Sequence, residues 1–173
     1  GCVNTIKYLS ALTIPKGSTL TSLINGNAST SSDSAGTITT LTNGDTYYGG
    51  GKITTLNNGA DSASYQVGTI ATLNNKPYGT ITALNNYGYL TTLTNKNKGS
   101  GTIHKIGTIN NGTGDATSSE ASNNHTIDLI NNNSGYYGTS IITTLENGQS
   151  THTLGNAGQI TTLNNHRCSK IIT

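Results

Sequence analysis

Large side chains and charges are scarce in this chain. Its 173 residues include no Phe, Trp or Met, only two Pro and two Cys, and 9% charged residues. The lack of large apolar side chains excludes a thick core, and no apolar run reaches the length of about 18 residues that a membrane helix needs. We therefore expect no membrane insertion. The nine Lys and Arg residues are spread along the chain and give a net charge of only +2, so we expect no nucleic-acid partner either.

Threonine, asparagine and glycine are abundant instead. The chain holds 32 Thr, 23 Asn and 22 Gly, and these residues recur at regular places. Charged disordered chains have a high net charge and few β-branched residues, so this composition favours an ordered fold. Because Thr is β-branched and Gly and Asn interrupt the chain often, short strands are favoured over helices.

One short motif recurs ten times. An Ile or Leu is followed three residues later by Leu or Ile, and two residues after that by Asn. Several copies begin with Gly-Thr, so the fullest form is Gly-Thr-Ile-x-x-Leu-x-Asn. A fixed recurrence of this kind indicates a repeat architecture. The ten asparagines are Asn25, Asn43, Asn58, Asn75, Asn86, Asn95, Asn111, Asn132, Asn147 and Asn165.

The spacing within the motif predicts a bend in each strand. Residues three apart, such as Ile38 and Leu41, point to opposite faces of a regular strand. Both can face a core only if the chain bends or carries a bulge between them. We therefore expect a corner inside or just after each Thr-Thr pair.

These features predict an all-β fold, a β-solenoid with two or three short strands per coil and loop insertions. Coils stacked at about 4.8 Å bring equivalent residues together in ladders. Asn side chains at the turns can then bond to one another and to the backbone, which satisfies polar groups that would otherwise be buried without partners. This requirement explains why the Asn position hardly varies between units.

The solenoid is expected to be a single domain over residues 1–173, with end caps at 1–19 and 166–173. Each coil should use two or three motifs, which gives about five or six coils in a stack roughly 25 to 30 Å long. Loop insertions are predicted at 27–35, 59–66 and 112–124, because these segments are rich in small and polar residues and poor in Ile and Leu.

No catalytic residue, metal site or cofactor is predicted. The seven acidic residues are spread over the chain, whereas glycosidases need two carboxyl groups within roughly 5 to 10 Å. Stacking could still bring two carboxylates together, so hydrolysis stays an alternative. The histidines lack the spacing of a metal site, and Gly114-Asp115 resembles calcium-binding nonapeptides without their repetition. We expect a non-enzymatic protein.

Tyrosines beside glycines are candidate contact residues. A ring with a polar tip, placed in or next to a predicted turn, can contact a partner. The alternative is that these rings cover the ends and corners of a thin core. The candidates are Tyr47, Tyr48, Tyr87, Tyr89, Tyr136 and Tyr137.

Outward Thr columns offer a different surface. Thr37 and Thr39 flank Ile38, and Thr80 and Thr82 flank Ile81, in a pattern that resembles the Thr arrays with which solenoid antifreeze proteins engage ice. Thr also suits any exposed strand. Ice binding is therefore the alternative function. Other residues interrupt the array at the equivalent place, namely Ala71, His104 and Asp128.

The repeats resemble the passenger repeats of bacterial autotransporter adhesins, including the vacuolating-toxin-like group. The resemblance covers about residues 20–165 and is carried by the stretches 79–95 and 139–165, with units such as Gly79-Thr80-Ile81-Thr82-Ala83-Leu84-Asn85-Asn86. It implies a secreted, cysteine-poor rod that presents loops to host surfaces or to copies of itself. No catalytic residue is carried over from it.

Cys2 and Cys168 lie near opposite ends of the chain and form no C-x-x-C pair. Bonded cysteines need Cα atoms within about 7 Å, so cysteines at opposite ends of a rod cannot form an internal disulfide unless a terminus folds back, but they can form one between subunits. Both could instead be free thiols. Our hypothesis is an extracellular or cell-surface module, structural or adhesive, that acts through surface loops and head-to-tail self-association. Its partners would be host or neighbouring cell surfaces, or copies of itself.

Overall fold

The computed structural model describes residues 8–26, 36–44, 50–59, 68–96, 103–112, 126–133, 139–148, 158–166 and 169–172. Apart from Gly59 and Gly112, the predicted loop insertions lie outside these residues. The described chain forms twelve β-strands, of which the second to the eleventh carry the repeat motif. They are β1 (Tyr8–Ile14), β2 (Thr19–Asn25), β3 (Gly36–Asn43), β4 (Lys52–Asn58), β5 (Gly68–Asn75), β6 (Thr80–Asn86), β7 (Tyr89–Lys96), β8 (Ile103–Asn111), β9 (Thr126–Asn133), β10 (Thr139–Asn147), β11 (Gln159–Asn165) and β12 (Lys170–Ile171).

Consecutive strands alternate between two six-stranded sheets. Sheet A has the order β1-β3-β5-β7-β9-β11, and sheet B has the order β2-β4-β6-β8-β10-β12. All pairings within each sheet are parallel. One strand of each sheet and the two connections between them therefore make one coil, and six coils stack. The predicted β-solenoid is confirmed, with two strands in each coil.

Equivalent motif positions pair across neighbouring coils. In β3 and β5, for example, Ile38 lies beside Ile70 and Asn43 beside Asn75. The segments predicted as end caps contain strands of the same kind, because β1 pairs with β3 in motif register and β12 pairs with β10. Motif register is thus kept from the first described coil to the last.

Each long strand bends after its first inward residue, as the odd spacing of the apolar positions requires. Ile38 and Leu41 are both buried, while Thr39 is exposed and Thr40 is half-buried between them. The pairing register steps from Ile38 to Thr40, and the other long pairings step in the same way. Two consecutive residues therefore face outward at each bend, inside a strand that continues to its Asn.

Inward Ile and Leu residues of the two sheets meet in a narrow core. Those of the central coils are completely buried, including Ile53, Leu73 and Leu90. Burial of such a side chain contributes about 1.5 to 3 kcal/mol. Leu9 and Leu12 in β1 and Ile160 in β11 are only partly buried, because their coils have a neighbour on one side.

Glycine precedes several strands because the preceding corner leaves no room for a side chain. A Cβ on Gly79 would lie 2.4 Å from Oδ1 of Asn75, and a Cβ on Gly51 would lie 2.5 Å from Oδ1 of Asn43. Real Cβ atoms essentially never approach another heavy atom so closely. The Gly and the Asn of the motif are therefore two halves of one corner.

Candidate functional site

Two ladders of asparagine side chains line the corners of the solenoid. In each ladder, Nδ2 of one Asn donates to Oδ1 of the Asn in the next coil at 2.8 to 2.9 Å. All ten motif asparagines belong to them. The sheet A ladder runs through Asn43, Asn75, Asn95, Asn132 and Asn165, and the sheet B ladder through Asn25, Asn58, Asn86, Asn111 and Asn147.

Among the described residues, nine of the ten ladder amides, all except that of Asn147, also donate a hydrogen bond to a backbone carbonyl. Nδ2 of Asn58 donates to the carbonyl of Tyr89 at 3.0 Å, and Nδ2 of Asn75 donates to the carbonyl of Gly79 at 3.0 Å. The ladder amides of the central coils, such as Asn58 and Asn75, are buried and therefore out of reach of an external ligand, whereas Asn147 and Asn165 at the end of the stack are exposed. The role that this geometry supports is the satisfaction of buried polar groups where the chain leaves each sheet.

The sheet A ladder begins one coil later than the sheet B ladder. The position that pairs with Asn43 in β1 is occupied by Ile14, whose Cγ2 and the Oδ1 of Asn43 both lie beside Gly51. Oδ1 of Asn43 is buried and has no hydrogen-bond partner among the described residues. Ile14 thus interrupts the ladder at a buried polar atom.

Outward asparagines form a second, shorter set of contacts that sequence reasoning missed. Nδ2 of Asn110 donates to Oδ1 of Asn85, and Nδ2 of Asn85 donates to Oδ1 of Asn57, each at 2.8 Å. On sheet A, Asn164 donates to Asn131 at 2.9 Å. The signal was present in the sequence as Asn-Asn pairs, in which the first residue of each pair faces outward.

The four candidate ice-binding threonines lie on two different faces. Thr37 and Thr39 belong to β3 in sheet A, whereas Thr80 and Thr82 belong to β6 in sheet B. Since the sheets pack against each other through their inward residues, their outer faces point in opposite directions. These four residues therefore do not form one array.

The register also identifies which residues interrupt the Thr columns. Ala71 and Asp128 do occupy positions equivalent to Thr39 in sheet A, each following the first inward residue of its strand. The assignment of His104 to the equivalent place is wrong. Ile81 pairs with Ile106, so Gly107 stands where Thr82 stands in the neighbouring strand.

Of the candidate contact tyrosines, the structure describes Tyr87 and Tyr89, which flank Gly88 where the chain passes from sheet B to sheet A. The hydroxyl of Tyr89 donates to Oδ2 of Asp128 at 2.6 Å. This hydrogen bond raises the pKa of Tyr89, with smaller contributions from desolvation and from the charge of Asp128. Tyr47, Tyr48, Tyr136 and Tyr137 lie outside the described residues, and so do Cys2 and Cys168.

Tyr8 makes a contact like that of Tyr89 and was not among the candidates. Tyr8 and Tyr89 hold the same outward position in β1 and β7, one residue before the first inward Leu. The Tyr8 hydroxyl lies 3.1 Å from Oγ1 of Thr39, a position equivalent to Asp128. Each ring therefore reaches the next strand of sheet A.

Within the described ranges, no three His, Cys, Asp or Glu residues lie close enough together to hold a metal ion. The described acidic residues are Asp128 in β9 and Glu146 in β10. The same ranges contain no helix long and apolar enough to cross a membrane. These findings leave the surfaces of the stack as the candidate sites.

Comparison with known proteins adds no identity to this geometry. The chain matches no family model, no curated protein and no solved structure.

Proposed function

We propose that this chain is a non-enzymatic structural or adhesive module of an extracellular or cell-surface protein, working through its surfaces and by end-on self-association. One observation carries the proposal: the interior of every central coil is filled by Ile, Leu and laddered Asn. The fold therefore offers other molecules its outer faces, its two lateral edges and its end strands. The resemblance of the repeats to autotransporter passengers supports the same location.

Adhesion would use side chains at the faces and corners. Tyr87 and Tyr89 lie together where the chain crosses between the sheets, and Tyr8 is 64% exposed on sheet A. Aromatic rings with a polar tip give large contact areas at small entropic cost. The expected partners are host or neighbouring cell surfaces, or copies of the chain.

Self-association would use the end strands. In the structure, β1, β2, β11 and β12 each pair with a strand on one side only. Leu163 of β11 holds a motif position that is buried in the central coils, yet it is 42% exposed. A further coil added to this end would bury Leu163 and pair the free strand edge.

The adhesive part of the proposal is tested with beads coated with the chain. We expect the beads to adhere to cells or to one another, and we expect Tyr87→Ala and replacement of both Tyr47 and Tyr48 by Ala to weaken adhesion. Beads that adhere neither to cells nor to one another would contradict it.

End-on association is tested by sedimentation velocity with a pair of Glu substitutions in β11. Leu163→Glu places a charge on the exposed end of the core and should abolish concentration-dependent assembly, whereas Thr162→Glu places the charge on the outer face and should not. A chain that stays monomeric at every concentration argues against self-association. A non-reducing gel tests whether Cys2 and Cys168 link subunits, and a purely monomeric band under oxidising conditions counts against the link.

Ice binding is the second candidate, and one observation favours it. At the described bends of sheet B, the outward positions hold Thr, Ser, Ala and Gly without a charged residue. Inhibition of ice recrystallisation tests this function, which should be lost in a Thr54→Lys and Thr82→Lys double variant. A chain without any effect on ice crystals excludes it.

A further inference from the structure

The lysines that seem scattered in the sequence gather along one lateral edge of the solenoid. At this edge the strands of sheet A end and the strands of sheet B begin. Lys16 and Lys76 lie in connections from sheet A to sheet B, and Lys96 is the last residue of β7. We call this set the basic edge, and it includes every described lysine: Lys16, Lys52, Lys76, Lys96, Lys105 and Lys170.

Three of these lysines stand in one column on alternate strands of sheet B. Lys52 pairs with Thr80, Thr80 with Lys105, and the column continues through Ile141 to Lys170. Lys52, Lys105 and Lys170 are all exposed. Two strand spacings separate successive lysines, so their Cα atoms repeat at about 9.5 Å.

The described acids lie away from this edge. Asp128 is near the start of β9 and Glu146 is near the end of β10, which places both toward the opposite edge of the solenoid. An anion at the basic edge would therefore meet the lysines without a described carboxylate between them. Among the described residues, the charges at this edge therefore favour an anion, although the whole chain has a net charge of only +2.

A tyrosine in the same edge adopts a backbone conformation that disfavours it. Tyr78 has a φ of 64° in the turn closed by the bond from Gly79 N to Lys76 O at 2.8 Å. The corresponding turn between β1 and β2 uses Gly17, with a φ of 72°. Bulky residues are outliers in this region, and such strain is a reason to look for function.

Tyr78 is also placed among the column lysines. It lies two residues before Thr80, which pairs with Lys52 on one side and Lys105 on the other, and it is 40% exposed. Its carbonyl is packed against the corner at Gly50, in the coil that carries Lys52. The strained turn thus places a half-exposed tyrosine two residues before the column that holds the lysines.

We propose that the lysine column within the basic edge, formed by Lys52, Lys105 and Lys170, binds an extended acidic polysaccharide with one uronate carboxylate in every second sugar. The lysine repeat is about as long as two linked pyranose rings, so successive carboxylates of such a chain can meet Lys52, Lys105 and Lys170. Tyr78 supplies a ring against which a sugar face packs, and Thr80 supplies a hydroxyl.

This spacing suits nucleic acid poorly. Duplex DNA carries one charge per about 1.7 Å, so lysines at about 9.5 Å would leave most phosphates without a partner. Strong binding of single strands uses aromatic rings for successive bases, whereas the described part of this edge offers Tyr78 alone.

The inference rests on the proposed adhesive function and names a ligand class for it. The two can fail separately. Coated beads that adhere to cells but do not bind the acidic polysaccharide would keep the proposed function and overturn the inference.

The test uses hyaluronan oligosaccharides, which carry one carboxylate per disaccharide, in a titration at low salt. We expect saturable binding that weakens as salt is added, and at least tenfold weaker binding of neutral N-acetylchitooligosaccharides. Equal affinity for the neutral oligosaccharide would overturn the proposal. Tighter binding of a single-stranded oligonucleotide than of hyaluronan would also overturn the proposal and would indicate nucleic acid as the ligand.

Two double variants, each of which removes two positive charges, distinguish binding by the lysine column from general electrostatic attraction. Lys52→Gln with Lys105→Gln should weaken hyaluronan binding at least tenfold. Lys16→Gln with Lys96→Gln should weaken it by no more than about threefold. Equal losses in the two variants would overturn the assignment to the column.

Tyr78→Gly separates a loss of binding from a loss of stability. Glycine relieves the strain at positive φ, so the variant should unfold at the same or a higher temperature than the natural chain. At the same time, hyaluronan binding should fall at least fivefold. Undiminished binding would remove Tyr78 from the site, and a lower unfolding temperature would show that its role is to support the fold.

Discussion

The inner and outer asparagines of the same strands differ in what surrounds their amides. Asn86 is fully buried, receives a hydrogen bond from Asn58, and donates to Asn111 and to the carbonyl of Thr126. Asn85, its neighbour in β6, is half-buried and bonds to the outer asparagines Asn57 and Asn110. The inner position is Asn in ten strands, while the outer position also accepts Thr, Ile and Glu. The residue type is constant at the inner position, where water does not replace a lost hydrogen-bond partner, and it varies at the outer position, where water can.

The largest difference in stability should come from removing one amide at the inner position and one at the outer position. Asn86→Ala removes the acceptor for one Nδ2 hydrogen of Asn58 and the donor to the buried Oδ1 of Asn111, so we expect a loss of about 3 kcal/mol in the free energy of unfolding. Asn85→Ala should cost about 0.5 to 1 kcal/mol. Urea denaturation measures both, and equal costs would remove the distinction between the two positions.

The second largest loss of stability is expected from adding a methyl group at a corner. Gly79→Ala places a Cβ against Asn75 Oδ1 and the carbonyl of Asn43, and we expect a loss of about 2 to 3 kcal/mol. Gly17→Ala is the control, because a Cβ there meets nothing within 4 Å and suffers only from the positive φ. That strain should cost about 1 kcal/mol. A harmless Gly79→Ala would show that the corner is looser than the structure indicates.

Extending the inner ladder should nearly compensate for the loss of a core side chain. Ile14→Asn removes apolar burial but gives the buried Oδ1 of Asn43 a donor, so we expect stability within about 1 kcal/mol of the natural chain. Ile53→Asn, the control, lies inside the core without a ladder to join and should cost about 4 kcal/mol or more. Similar losses at both sites would mean that Asn43 does not need the donor.

The smallest effect should come from extending the outer row. Glu146 pairs with Asn110, so Glu146→Asn adds one more amide to the row formed by Asn57, Asn85 and Asn110. We expect a gain of about 0.5 kcal/mol relative to Glu146→Ala, measured by thermal unfolding. A gain of about 3 kcal/mol, the size of the loss expected for Asn86→Ala, would contradict the distinction between inner and outer asparagines.

The motif was sufficient to predict the fold class, the inward bend and the stacking of asparagines. Each of these follows from local spacing: an odd interval between Ile38 and Leu41 requires the bend, and a constant Asn position requires partners above and below. Strand β1 was missed as a unit because Leu9 and Leu12 are followed by Ile14 in place of Asn.

The surfaces were harder to predict because they depend on which sheet each unit joins. Connections of very different length separate the units, so the sequence alone does not show that Thr39 and Thr82 belong to opposite faces. The same ambiguity hid the basic edge: Lys52 and Lys105 are far apart in sequence and share a column only through the pairing of β4, β6 and β8.

Hydrogen exchange of the asparagine side-chain amides tests the central claim most directly. In a nitrogen-15 NMR experiment, the Nδ2 hydrogens of Asn58, Asn75, Asn86 and Asn95 should exchange as slowly as the backbone amides of their own strands, because each amide is buried and donates within the ladder. The Nδ2 hydrogens of Asn85 should exchange much faster. Exchange of the four inner amides at the rate of a free asparagine would contradict the ladder and the stacked coils that depend on it.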